Sequence, residues 1–120
     1  MKLPSRGYWP GFLLVLATTL SLSAVLPQAQ LKVVDLAIRK VDTDSQRFGE
    51  VRIRLMIANL GTRTDTAQVD VKFLDAEGFE VDSWFMEGGV SAGDTVTLTD
   101  VAQVRKPGWN DIRSAKAELW

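Results

Sequence analysis

With 120 residues, the chain has room for one domain once any targeting segment is set aside. It contains no cysteine and no histidine, which removes the thiolate nucleophile, the disulfide, the zinc thiolate site and the usual general base near neutral pH. Lys2 and Arg6 are the only charges before Leu31, so the remainder holds 12 basic and 15 acidic residues, a net of −3. No basic stripe stands out, which argues against a nucleic-acid binder that tracks phosphates.

Residues 1–30 pair that short basic start with a charge-free, mostly apolar run from Gly11 to Leu26. Ser21, Ser23 and Ala24 supply small residues near its end, and Pro27 breaks it. This order matches a secretory signal peptide cleaved after Ala24 or near Ala29, and no cysteine follows to carry a lipid. The alternative is a retained anchor over residues 8–27. Phe12, Leu13, Leu14 and Leu16 belong to its apolar run, and Tyr8 and Trp9 sit at the interface. The core run is short of the ~20 residues that a spanning helix needs. Either reading places residues 31–120 outside the cytoplasm, as a periplasmic or secreted domain or one held at the inner membrane.

From Leu31 onward the dominant period is two. In VDLAIRKV, Val34, Leu36 and Ile38 share one face. VRIRLMI sets Val51, Ile53, Leu55 and Ile57 against Arg52, Arg54 and Met56. VDVKF gathers Val69, Val71 and Phe73, opposite Asp70 and Lys72. FEVDSWF is read with Phe79, Val81 and Phe85 inward, and with Trp84 and Met86 outward. TVTLTDVAQV places Val96 and Leu98 against a ladder of Thr95, Thr97 and Thr99. The last segment offers Ile112, Ala115, Ala117 and Leu119. Turn-formers separate the runs: Asp42 to Ser45, Asn59-Leu60-Gly61, Asp75 to Gly78, Gly88-Gly89, Ala92-Gly93-Asp94 and Pro107-Gly108. Strands at this spacing, wet on one face and apolar on the other, predict an all-β antiparallel sandwich.

The stretch from Val51 to Leu119 resembles the FxLYD-type domains of bacterial exported proteins. Asn59, Asp75, Gly78, Gly93, Asp94 and Thr95 fill that family's strand-end and turn positions, while Val71, Phe73 and Leu74 depart from its signature. Through NLGT, AGDTVT and DLAI the chain is also similar to CARDB adhesion-related modules. Both resemblances imply an immunoglobulin/fibronectin-III-like sandwich, here of about seven strands preceded by the N-terminal hydrophobic helix. Neither family brings catalytic residues or a cofactor.

The candidate sites are few. Asp75 and Glu77, with Glu80 or Asp82, lack the alternating spacing of a calcium loop and read as an acidic turn capped by Asp75. Asp42 and Asp44 read the same way. Ser91, Thr95 and Thr97 have no histidine to activate them, and Lys72 and Lys116 fall at exposed strand positions. No metal, cofactor or catalytic residue is expected. The aromatics remain: Trp84 with Met86 and Glu87, then Trp109 and Trp120, each a large surface with few rotamers to freeze on contact. The expectation is a non-catalytic module that binds a protein partner, around Trp84 and Met86 with Glu80, Asp82 and Glu87 as rim. If the anchor is retained, it becomes a single-span accessory subunit of a membrane complex. A carbohydrate stacked on Trp84 or Trp109 is the other binding mode.

Overall fold

The computed structural model describes residues 30–120. The signal or anchor segment, with Tyr8, Trp9, Phe12, Leu13, Leu14 and Leu16, lies outside the described residues. Among these, no helix is long and apolar enough to cross a membrane. Six strands and one short helix follow in order: β1 (Leu31–Val41), β2 (Phe48–Asn59), β3 (Asp65–Leu74), β4 (Glu80–Val90), β5 (Thr95–Arg105), α1 (Lys106–Asp111) and β6 (Ser114–Leu119). They form two antiparallel sheets, ordered β1-β2-β5 and β4-β3-β6.

The central strands obey their periodicity because they are paired on both sides. In β2, Val51, Ile53, Leu55 and Ile57 are buried, and Ala67, Val69, Val71 and Phe73 of β3 meet them from the other sheet. Met86, Val90, Ala102, Val104 and Ile112 complete this core. Removing such surface from water is worth ~25 cal/mol per Å², so these side chains dominate the stability of a fold without cross-links.

Two of the four edge strands, β1 and β4, depart from the period, each through one extra residue. In β1 the pairing steps from Val33 opposite Ile57 to Asp35 opposite Met56, leaving Val34 unpaired and 51% exposed. Val33, not Val34, therefore packs on the core with Leu36 and Ile38. In β4 the pairing steps from Glu80 opposite Leu74 to Asp82 opposite Phe73, skipping Val81. A bulge reverses which face the following residues take. Trp84, Met86 and Val90 consequently face the core and Phe85 is exposed, while Phe79 is exposed in the turn before β4. The inward assignment of Val34, Phe79 and Phe85 is thus corrected, as is the outward assignment of Trp84 and Met86.

Among the described residues, Asn59 is the one polar or charged side chain that is buried. Its side-chain Nδ2 donates to the carbonyls of Arg63 (2.7 Å) and Val90 (3.0 Å), and its Oδ1 accepts the Gly61 N–H (2.9 Å). Its backbone N–H donates to Asp94, and its carbonyl accepts from Gly93. One side chain at the end of β2 thereby joins the two sheets at one pole. Pro107-Gly108, read as a loop, begins α1; proline suits the first helical turn, where its missing N–H has no partner to lose.

Candidate functional site

The acidic turn is a corner. One carboxylate oxygen of Asp75 accepts the backbone N–H of both Glu77 and Phe79, each at 2.9 Å. Gly78, at φ +87°, takes the left-handed conformation that closes the hairpin. Glu80 leans toward Lys72 at 3.9 Å, and Asp82 accepts the Ser83 N–H, so these carboxylates do not converge with Asp75. Asp42 accepts the Thr43 N–H and holds Lys106 at 2.8 Å. The Lys106 ammonium, then the Thr43 amide, lower its pKa from the ordinary carboxylate value. Among the described residues, no three acidic side chains are placed to share a metal ion.

Three of the expected contact residues are committed internally. Met86 is buried at 5% exposure, too deep to meet a partner. Trp84 lies partly buried between the sheets, its indole N–H donating to Asp100 Oδ2 at 2.9 Å. Trp109 packs flat on Gly49, where a Cβ would collide with the indole ring. Its N–H donates to the Glu50 carbonyl at 2.8 Å, and the Lys40 ammonium lies 4.6 Å from the ring centroid. Lys40 also donates to the carbonyls of Asn110 and Ile112 at the end of α1. Burial, then the neighbouring Arg113, lowers its pKa.

Trp120 and Glu87 are left to solvent, joined by a residue the sequence reading missed. On the outer face of β4-β3-β6, Phe85 (45% exposed) and Trp120 (78%) meet edge to face, ring centroids 5.6 Å apart. The backbone N–H of Trp120 donates to the Gln68 carbonyl, extending the ladder beyond β6 and bringing the indole beside β3. Gln68 reaches Glu87 at 3.4 Å, while Asp70, opposite both Phe85 and Glu118, lies between the strands carrying the aromatics. The sequence held one sign of this arrangement. Trp84, Phe85 and Met86 are three consecutive large apolar residues that no single alternating phase can bury together, and Val81 and Trp84 differ in parity, as a bulge between them allows.

Below the aromatic pair the same face is closed by ion pairs. Lys72 lies 2.8 Å from Glu118 and 3.9 Å from Glu80, and Lys116 lies 3.2 Å from Glu118. Glu118 raises the Lys72 pKa, while Lys72, followed by Lys116, lowers that of Glu118. Lys72 is thereby held in its charged form.

No family model matches the chain, and no curated protein matches it. Among solved structures it is similar to part of a beta-glucuronidase from glycoside hydrolase family 2, at 15% identity and a TM-score of 0.52. The match covers 62% of this chain and 8% of that one. A putative beta-galactosidase from Bacteroides fragilis aligns at 17% identity and a TM-score of 0.47, over 60% of this chain and 10% of that one. The chain thus spans about a tenth or less of these enzymes, and the first likeness is one of β-sandwich fold alone.

Proposed function

We propose that residues 31–120 form an immunoglobulin/fibronectin-III-like module that works outside the cytoplasm, without catalysis, by protein–protein contact. The strand order supports this assignment. β1-β2-β5 corresponds to strands A, B and E, and β4-β3-β6 to C′, C and F, with six strands described against about seven expected. The similarity to FxLYD and CARDB domains points the same way. The contact surface moves from Trp84 and Met86 to the outer face of β4-β3-β6.

The observation that carries this reading is the Phe85–Trp120 pair. Two large aromatic rings stand in solvent side by side on a rigid sheet, with Gln68, Asp70 and Glu87 around them. An aromatic centre within a polar rim is the anatomy of a contact hot spot. The acidic rim suits a partner that presents an apolar side chain flanked by lysine or arginine, since opposite charges steer the encounter.

The test places a photo-crosslinking side chain at Ser83, on the same face, in cells producing the full chain. One protein adduct is expected. It should fall at least ten-fold in F85A/W120A, a variant that still melts with the parent, since truncating a hot-spot residue costs ~2 kcal/mol or more. An adduct unchanged by that substitution would overturn the proposal. So would glycan binding lost in W120A without any protein adduct, which would make the rings a sugar platform.

A further inference from the structure

The opposite face of the sandwich carries a second site. Three consecutive residues from each of β1, β2 and β5 line a groove of about 610 Å³ on the outer face of their sheet, within the size range of small-molecule sites. Its floor is short, formed by Ala37, Thr99 and Val101, and its basic groups are Arg39, Arg52 and Arg54. Arg39 stands directly opposite Arg52 in the ladder, and Arg54 lies two residues along, opposite Ala37 and Thr99.

That placement is unfavourable for the empty fold. Like charges directly opposite each other on antiparallel strands destabilise the pair. The nearby carboxylates relieve this only weakly: Glu50 lies 3.7 Å from Arg52 and Asp35 4.0 Å from Arg54. Charge-assisted hydrogen bonds are about 2.7–2.9 Å long, so neither contact is a formed bond. Asp100 also borders the groove, but it pairs with the inward Ile53, and its two oxygens already accept the Trp84 indole N–H and the Val101 backbone N–H. The arginines keep donors to spare, on either side of a pit that only small side chains floor.

We propose that this groove binds an organic phosphate, the guanidinium forks of Arg52, Arg54 and Arg39 taking the phosphate oxygens and Ala37 and Val101 receiving the apolar part. Arginine suits the task because its planar fork matches phosphate oxygens two at a time. The site is independent of the aromatic face, so either reading can fail alone.

The experiment titrates the full chain, in an uncharged detergent at constant ionic strength, with phenyl phosphate, inorganic phosphate and phenol, read by calorimetry. Saturable binding of phenyl phosphate is expected, at least ten-fold tighter than either of the others. R52Q/R54Q should weaken it at least ten-fold, and R63Q, a change in the β2–β3 loop, should not. In phosphate-free buffer R39Q should melt no lower than the parent while binding at least several-fold more weakly, a split that a purely structural arginine would not produce. Inorganic phosphate binding as tightly as phenyl phosphate would overturn the role of the apolar floor. Absence of saturable binding, or binding that survives R52Q/R54Q, would overturn the site.

Discussion

On the outer face of β4-β3-β6 like charges also stand opposite each other, Lys72 to Lys116 and Asp70 to Glu118, but they are bridged, both lysines closing on Glu118 at 2.8 and 3.2 Å. On the outer face of β1-β2-β5, arginine stands opposite arginine, and the nearest acids stay 3.7–4.0 Å away. Both faces belong to strands of the same period over one shared core, so the fold does not require the difference. A face whose charges neutralise one another can be left wet at little cost. Cations placed against one another without such a bridge keep hydrogen-bonding capacity that something outside the chain can use. Apolar exposure differs in the same sense: the matched sheet shows two aromatic rings, the arginine sheet a pit floored by small side chains.

That comparison holds only if both sheets are locked in one arrangement, and Asn59 is where to break it. Asn59→Leu would leave the Arg63 and Val90 carbonyls and the Gly61 N–H without their side-chain partner. A loss of about 3 kcal/mol is expected in urea unfolding, since an unsatisfied buried polar group costs ~1–3 kcal/mol. Both faces should be affected together; a near-neutral variant would mean that the pole is not a shared lock.

Next in size is the contrast across β4, which sharpens the question of which side is the surface. Met86→Ala should cost about 2–4 kcal/mol, as core truncations do. Phe85→Ala should stay within about 0.5 kcal/mol, as exposed positions do. Chemical denaturation of the two variants decides it, and the reverse order would put Met86 back on the partner-facing side.

The smallest effect separates the faces by pH. Lys72 and Lys116 hold the Glu118 carboxyl below its ordinary pKa of 4.5. The folded state then gives up its proton more readily than the unfolded chain, and stability falls with pH in that range. The contribution is complete above about pH 4.5 and is lost as pH drops through the lower folded value. Glu118→Gln should flatten the acid side of the melting profile by a small, salt-sensitive amount, whereas Arg52→Gln should leave its shape unchanged. Equal flattening by both would mean that the two faces do not differ in this way.

The central strands were legible from the chain alone, and so were most of the corners, although Gly88-Gly89, read as a turn, lies within β4 and Pro107-Gly108 within α1. Val51 to Ile57 and Val69 to Phe73 alternate strictly because both edges of each strand are hydrogen-bonded, which leaves no freedom to slip. The Asp75 turn was legible because its side chain bonds amides only two and four residues away. The aromatic site was not. It depends on a bulge at Val81 that exchanges the faces of Trp84, Phe85 and Met86, and on a ladder that seats Trp120 beside Gln68. The arginine site was half visible: Arg52 and Arg54 alternate outward together, but Arg39 joins them only through pairing with β1.

Composition and local pattern alone determined that this chain lacks histidine and thiol chemistry and must build two apolar sheet faces closed by short turns. Those properties arise from single residues and near neighbours. Tertiary structure alone decided which edge residues turn outward and which distant side chains share a face. Strand register is a long-range relation, and one extra residue inverts everything after it.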